Sequence, residues 1–343
     1  MPFLPFAKVI PGGNATILLD NAGLSPRALA AVAPELMGEH HLQAEQVGQI
    51  SRLPEASPPA QPPLSTQFAT HHLQMMGNEF CVNATRAAAA YMAYCGEMAP
   101  VPVSSGTVSG PNSSTYGCFF SFFSVSGQPD PLPVFAALNE PSLFAGLDCF
   151  AKAKERFLPS CPEFPVKIPH SEWFTATCIP YNAHSPSSGG RIVSPQAGVY
   201  GVQLPGITHL LVDTAVHGLP EQNAWKQESA RWRQAHESGS EAAFGVIWYT
   251  RMADGYSILP AVFVRAINSE FLETACGSAS LAVALLHKQK SKATPAFINA
   301  PACPSGVSIL QPSGKTLTVL CTENHAWVIG PTLIAAHGIT WCH

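Results

Sequence analysis

Charge and long apolar runs are both scarce in this sequence. Charged side chains make up only 12% of the 343 residues, about half the share of roughly 25% that is usual in soluble domains. The formal net charge is −4, so the chain lacks the positive field that a nucleic-acid partner requires. No apolar run approaches the roughly 20 residues that span a bilayer. We therefore expect no nucleic-acid partner and no membrane partner.

The sequence also lacks the patterns that indicate secretion or a structural metal. Residues 1–8 contain neither the basic segment nor the unbroken apolar stretch of a secretory signal, so we expect a cytoplasmic protein. In that compartment most of the ten cysteines stay reduced. None of them forms a Cys-x-x-Cys pair, the usual spacing of zinc ligands. The adjacent pairs His40–His41 and His71–His72 are poor chelates because neighbouring side chains diverge. We expect no metal and no other cofactor.

What the sequence does contain is enough apolar material for a large core, and its length favours two domains. Hydrophobic residues account for 46% of the chain. Stretches rich in Pro, Gly and Ser predict surface loops at 53–66, 105–116 and 182–196. Helices are predicted at Pro26–Met37, after the capping residue Ser25, and at Pro220–His236. Runs of β-branched and aromatic residues predict strands, among them Ala15–Asp20, Cys118–Val125, Val199–Leu204, Thr208–Val212, Phe244–Thr250, Ile258–Ile267 and Leu317–Cys321.

Two alanine-rich segments share one pattern around a cysteine. Each reads as a cysteine, any residue, a small polar residue, alanine, then serine or threonine, and a predicted helix begins there; the cysteines are Cys81 and Cys276. Asn83 and Ser278 are good N-cap residues, so each cysteine should lie just before a helix N-terminus. Two such copies predict two domains of like design, each presenting one cysteine at a helix tip.

This placement predicts a particular chemistry. The unpaired N–H groups and partial positive charge of a helix N-terminus favour thiolate over thiol and can hold a substrate carboxylate. If the two domains face each other, one thiolate removes a Cα proton and the other thiol returns one to the opposite face. A single buried cysteine is more often a small apolar residue that fills the core, even before an alanine-rich helix. Eight cysteines lack the repeated motif, and we assign core filling to them: Cys95, Cys118, Cys149, Cys161, Cys178, Cys303, Cys321 and Cys342. The two matching copies favour a cofactor-independent amino-acid racemase or epimerase.

At this point the residues resemble a known family, the diaminopimelate epimerase superfamily. Five elements occur in the family's order, at Pro11–Asn14, Cys81–Arg86, Gly206–His209, Ala275–Ala279 and Ile329–Pro331. The resemblance implies an α/β (α+β) fold of two pseudo-symmetric domains. In each, a mixed, mostly antiparallel sheet wraps a central helix, and the active site lies in the inter-domain cleft. It implies domains at 1–130 plus about 326–343, carrying Cys81, and at 131–325, carrying Cys276.

The departures from the family concern the substrate. Polar family positions around the distal end of diaminopimelate read here as Ile207, Ala243 and the pair Val264–Arg265. Unpaired buried polar groups cost about 1–3 kcal/mol each, which argues against diaminopimelate. Glu45-Gln46-Val47-Gly48, Asn78-Glu79-Phe80-Cys81 and Cys276-Gly277-Ser278 are similar instead to the histidine racemases of staphylopine-type metallophore synthesis. That branch implies conversion of L-histidine to D-histidine.

The same resemblance implies a set of site residues and a free amino acid as partner, histidine above all; it also allows a homodimer. Cys81 and Cys276 are the predicted catalytic residues. The predicted substrate-binding residues are Asn14, Glu45, Gln46, His72, Asn83, Ala84, His209, Arg265, Glu273, Gly277 and Ser278. Two alternatives stay open. One is a racemase for another amino acid, diaminopimelate- or proline-racemase-like; the other is a non-catalytic thiol protein with a redox-sensitive cross-domain disulfide.

Overall fold

The computed structural model describes residues 3–54, 69–101, 117–140, 142–144, 146–147, 172–181, 190–293 and 306–342. Its helices are α1 Pro26–Met37, α2 Val82–Tyr94, α3 Thr214–His217, α4 Trp225–His236 and α5 Gly277–Ala293, with a 3₁₀ turn at Arg265–Ile267. Its strands are β1 Phe3–Pro11, β2 Thr16–Asp20, β3 Gln46–Arg52, β4 Ala69–Met75, β5 Ala99–Val101, β6 Cys118–Val125, β7 Leu132–Ala137, β8 Glu172–Pro180, β9 Arg191–Gln196, β10 Val199–Leu204, β11 Ile207–Asp213, β12 Ala243–Met252, β13 Gly255–Val264, β14 Ser269–Leu272, β15 Val307–Leu310, β16 Thr316–Cys321 and β17 His325–Trp341.

Eight strands close into a barrel around α2. Starting from β1, the pairing runs through β2, β3, β4, β6, β7 and β8 to β17, which returns to β1. The pairs β2–β3 and β4–β6 are parallel and the others antiparallel. β7 and β8 lie beyond the boundary that the sequence predicts at residue 130.

A second group of strands repeats this order of pairing. It runs from β10 through β11, β12, β13, β15 and β16 to β17, and the pairs β11–β12 and β13–β15 are the parallel ones. β9 adds to β10, and β14 adds to β13. In each group the second parallel connection carries a cysteine helix, α2 between β4 and β6 and α5 between β13 and β15. The mixed α+β class predicted from the sequence is therefore present.

Alanine explains why α2 can occupy the inside of a barrel. Every residue from Val82 to Ala93 is buried, and a helix that is apolar on all faces is stable only when it is enclosed. Small side chains let the surrounding strands approach the helix closely. The first two turns of α5 are buried in the same way, and both helices contribute to one continuous core.

Most predicted elements are found, and the differences have local causes. α1 has the predicted bounds, and the Ser25 hydroxyl accepts the Ala28 N–H at 3.2 Å. α4 begins at Trp225, later than Pro220. Residues 191–196, predicted as loop, form β9, which pairs with β10 alone among the described strands; such a strand tolerates its proline. The loop predicted at 105–116, most of 53–66 and residues 182–189 lie outside the described residues.

The predicted strand Ile258–Ile267 is shorter at its C-terminal end. β13 stops at Val264, and Arg265–Ile267 form a 3₁₀ turn that closes on Asn268 in the left-handed conformation, with φ of 48°. Asparagine is one of the few side chains that tolerate this region. The turn takes Arg265 off the strand that carries Val264.

Candidate active site

Cys81 is the N-cap of α2. Its sulfur accepts the Ala84 N–H at 3.3 Å, and its carbonyl accepts the Thr85 N–H at 3.0 Å. The sequence predicts Asn83 as the cap, and this is wrong because the sulfur takes the place of a capping oxygen. Asn83 instead donates its amide Nδ2 to the Ala275 carbonyl at 2.8 Å. A direct bond therefore joins the start of α2 to the segment that precedes α5.

Cys276 stands in the same position before α5, which begins at Gly277. Its carbonyl accepts the Ser280 N–H at 3.1 Å, and its own N–H donates to the Gln311 side chain at 2.9 Å. Ser278, predicted as the cap, lies inside the first turn, with its hydroxyl 3.5 Å from the Cys276 sulfur. Each cysteine therefore precedes its helix directly.

The two helix tips meet at one cavity. A Cβ on Gly277 would stand 2.6 Å from Val82 Cγ1 and 3.0 Å from Asn83 Oδ1, so glycine is required where the tips approach each other. The cavity is lined by Glu45, Gln46, Met76, Glu79, Phe80, Cys81, Val82, Asn83, Ile207, Ala243, Val262, Val264, Phe271, Glu273, Cys276, Gly277 and Ser278. Among the described residues, no lysine, arginine or histidine lines it.

Gln46 and Asn14 link Cys81 to the wall behind it. The Cys81 thiol donates to Gln46 Oε1 at 2.8 Å, and Gln46 Nε2 donates to Asn14 Oδ1 at 2.7 Å and to the Thr16 hydroxyl at 2.6 Å. An amide oxygen can only accept, so this arrangement favours the protonated thiol. Gln46 lines the cavity, whereas Asn14 is fully buried behind it.

Glu45 links the start of β3 to Thr274, which lies shortly before Cys276. Its Oε2 accepts from Asn14 Nδ2 at 2.9 Å and from the Thr274 N–H at 3.0 Å, and its Oε1 accepts from the Thr274 hydroxyl. Burial raises its pKa despite these donors. Both carboxylate oxygens already have partners, so Glu45 fixes the spacing of the cleft at its edge.

His209 supports Ser278 from behind the cavity. The ring is fully buried on β11, and its Nε2 lies 2.8 Å from the Ser278 hydroxyl. Desolvation lowers its pKa to about 3, so the ring is neutral. Because Ser278 also contacts the Cys276 sulfur, His209 sets the position of that hydroxyl. Ala84 likewise acts through its backbone N–H on Cys81.

The structure does not bring His72 or Arg265 to this cavity. His72 Nδ1 lies 3.1 Å from the Ser124 hydroxyl, where β4 pairs with β6. Arg265 donates to the Glu241 carbonyl at 2.9 Å and pairs with Glu237, in the 3₁₀ turn after β13. Neither side chain lines the cavity.

Two carboxylates inside the cavity are destabilised by burial. Desolvation raises the pKa of Glu79 to about 7 and that of Glu273 to about 8. Each has one oxygen, Oε2, that is buried without a hydrogen-bond partner. Glu79 was not among the predicted site residues, although its position in the motif two residues before Cys81 was a usable signal. With Glu45, three carboxylates line this cavity, and no cationic side chain of the described residues does. The cavity is therefore suited to a positively charged ligand.

The surroundings of both thiols favour the protonated form. Desolvation raises the pKa of Cys81 and of Cys276 well above the ordinary thiol value, and the charge of Glu273 adds to this at both. The N–H groups at the helix tips lower the two pKa values, as the sequence predicts, but the effect of burial is larger. The expectation of thiolates in the free protein is therefore corrected; a cation in the cavity would offset this effect.

One wall of the cavity is apolar and regular. Ile207, Ala243 and Val264 are direct neighbours across β11, β12 and β13, and Val262 and Phe271 extend the same surface. Ile207, Ala243 and Val264 are three of the four residues for which the resemblance implies polar side chains in diaminopimelate epimerases. No group of three His, Cys, Asp or Glu side chains in the described parts of the chain could hold a metal ion. None of the helices described has the length and apolar character needed to cross a membrane.

The buried carboxylate of Glu79 makes stability depend on pH. Its pKa is about 7 in the folded protein and 4.5 for a free side chain, so the folded state binds more protons and loses stability as pH rises through this range. We expect Glu79→Gln to raise the free energy of unfolding by about 2–3 kcal/mol at pH 8.5 and to change it little at pH 4.5. Urea unfolding at both pH values measures this. Glu228→Gln, at a partly exposed residue of α4 that pairs with Arg231, is the control, and equal effects at both pH values would contradict the burial argument.

The chain is similar in sequence to histidine racemases. The family model for the N-terminal domain of the histidine racemase CntK matches residues 3–108. A histidine racemase of Fusobacterium nucleatum subsp. nucleatum is 23% identical over 335 residues, covering 98% of this chain and 96% of the relative. The histidine racemase of a second strain of that subspecies is 40% identical over 91 residues, covering 26% of this chain and 28% of the relative.

The fold is similar to that of a solved hydroxyproline epimerase from Agrobacterium vitis, a structure with bound trans-4-OH-L-proline. The TM-score is 0.56 at 8% identity, and the match covers 98% of this chain and 92% of that chain. Fold and cavity define an α+β protein with two helix-tip cysteines. Its sequence relatives, which are named histidine racemases, place it among isomerases of the racemase class.

Proposed function

We propose that this protein racemises a free amino acid, histidine, with Cys81 and Cys276 as the two acid/base groups and no cofactor. The observation that carries the proposal is the single cavity at which both cysteines, each at a helix N-terminus, meet three carboxylates and an apolar wall. The names of the sequence relatives support histidine. We infer that the two strand groups are pseudo-symmetric domains of one design and that the first domain extends through β8.

The substrate's α-carboxylate would lie on the tips of α2 and α5. Backbone N–H groups and the positive end of the helix dipole bind anions at such places. Asn83 and Gly277 keep the two tips in contact, and the small residues there let a carboxylate approach the backbone. In this position the N–H groups also stabilise the charge that develops on the carboxylate when the Cα proton leaves.

The α-ammonium would pair with Glu273. The charge of this carboxylate raises the pKa of both thiols, so it is near both of them, and its Oε2 is buried without a hydrogen-bond partner. A positive charge there lowers the pKa of the nearby thiols and favours the state with one thiolate. The reaction then needs no further group. The thiolate takes the Cα proton and becomes a thiol, while the other thiol gives its proton to the opposite face and becomes a thiolate.

Chiral chromatography of histidine after incubation with the reduced protein tests this function. We expect either enantiomer to reach a 1:1 mixture, with proline, leucine and phenylalanine converted far more slowly. If proline were converted faster than histidine, the two-thiol mechanism would stand and the substrate would be the one of the proline-racemase-like alternative. Absence of conversion, with a reversible change on oxidation, would favour the thiol redox protein.

Racemisation should be indifferent to removal of cofactors. We expect dialysis against EDTA, followed by treatment with hydroxylamine to strip pyridoxal phosphate, to leave the rate unchanged, because both proton transfers use groups of this chain. Initial rates before and after treatment measure this. A loss of activity that is reversed by Zn²⁺ or by pyridoxal phosphate would contradict the proposal.

The D-histidine formed would serve condensation into an opine-type metallophore, as the resemblance of the motifs implies.

A further inference from the structure

We propose that Glu79 is the specificity-determining residue of this site, binding the distal N–H group of a substrate whose side chain is a flat ring. The proposal rests on the proposed function, since it assigns the partner of the side chain in the same cavity. A candidate of this kind needs a free acceptor that faces the cavity at a distance from the reacting carbon. Glu79 meets both conditions, and the other two carboxylates do not.

Glu79 has a carboxylate oxygen without a partner, as Glu273 has, but Glu273 is assigned to the α-ammonium. The residue is 6% exposed, it lines the cavity, and its Oε2 has no hydrogen-bond partner. Its remaining contacts are with backbone N–H groups of Gly77 and of Glu79 itself. Glu45, in contrast, uses both oxygens on Asn14 and Thr274. A buried carboxylate oxygen without a donor is costly, and a ligand N–H would relieve that cost.

The free oxygen of Glu79 lies beside Val264, a residue of the apolar wall. The position that a Gly77 Cβ would occupy is 2.5 Å from Glu79 Oε2 and 2.7 Å from Val264 Cγ1, so these two atoms flank the same small space. We assign this space, between the carboxylate and the apolar wall, to the side chain of the substrate.

These contacts define the class of side chain that fits. A ring can lie on the surface formed by Ile207, Ala243 and Val264, and a donor at the far edge of the ring meets Glu79. A charge-assisted bond from a buried carboxylate favours an imidazole over a ring of equal size without N–H. Aliphatic and phenyl side chains would leave Glu79 without a partner, which selects against them.

Glu79→Gln and Gly77→Ala test the assignment in two independent ways. The first removes the charge, and the second keeps it but puts a methyl group where the carboxylate oxygen lies. The measurement is the ratio of kcat/KM for histidine to kcat/KM for β-(2-thienyl)alanine, which has a five-membered ring without N–H. We expect this ratio to fall about 10- to 100-fold in both variants and to be unchanged in Glu228→Gln. An unchanged ratio in both variants, with histidine still racemised, would overturn the role of Glu79 and leave the proposed function standing.

Binding of imidazole tests the role of Glu79 independently of the proposed racemase function. NMR titration of the full chain with imidazole should give a dissociation constant that is about 10-fold weaker in Glu79→Gln and unchanged in Glu228→Gln, which lies outside the cavity. If the wild-type protein racemises no amino acid but imidazole binding depends on Glu79, the proposed function fails and the Glu79 site stands. Equal imidazole affinity in the wild type and Glu79→Gln would overturn the Glu79 site.

Discussion

Replacing either Cys81 or Cys276 by serine should lower histidine racemisation by about 10³-fold or more while the fold is kept. Each sulfur serves one face of the Cα carbon, so loss of either one blocks the reaction in both directions. A serine hydroxyl is far too weak an acid to take over, and a positioned acid or base is worth about 10²–10⁴-fold. Initial rates from both enantiomers, followed by chiral chromatography, measure the effect.

The matched control is the same substitution outside the cavity. Cys321 on β16 is a free cysteine that does not line the cavity, and Cys321→Ser should keep the wild-type rate. Circular dichroism and urea unfolding establish that the three variants are folded. Near-normal turnover in Cys81→Ser or in Cys276→Ser would remove that thiol from the mechanism.

Glu273→Gln should lower kcat/KM for histidine by about 10- to 100-fold and change its pH dependence. Burial raises the pKa of Glu273 to about 8, so at lower pH it is protonated and pairs poorly with an ammonium group. In the wild type kcat/KM should therefore rise as pH increases through about 8. This step should be absent in the variant, while the rise through about 7 that belongs to Glu79 remains.

The pH profile distinguishes a binding role from a structural one. A variant that was only destabilised would lose activity at every pH and keep the shape of the curve. Glu228→Gln, at a partly exposed position on α4, should keep both the rate and the pH profile of the wild type. If the step near pH 8 persisted in Glu273→Gln, the step would belong to another group and the α-ammonium would need another partner.

The sequence predicts those parts of the site that depend on local rules. The repeated cysteine motif places both thiols at helix tips because a capping pattern and an alanine-rich run are local signals. The exact cap is missed, since a sulfur that accepts the Ala84 N–H is an uncommon choice. α1 has its predicted bounds because Ser25 and Pro26 mark its start.

Long-range effects are the ones that the sequence does not reveal. That β17 would pair with β1, β8 and β16 depends on barrel closure, and no local pattern reports it. The raised thiol pKa values follow from burial by many distant residues, whereas the helix dipole is visible in the sequence. Arg265 leaves the cavity because β13 ends at Val264 in a turn closed by Asn268. The free oxygen of Glu79 becomes apparent only when the space beside Gly77 and Val264 is known.

Racemisation of L-histidine in heavy water tests the two-thiol mechanism most directly. One thiol removes the Cα proton and a different one, carrying solvent deuterium, protonates the other face. At low conversion the D-histidine formed should therefore be fully deuterated at Cα, while the remaining L-histidine should keep its proton; ¹H NMR combined with chiral separation measures both. Transfer of the original proton into D-histidine would mean that one base serves both faces, and this result would contradict the mechanism.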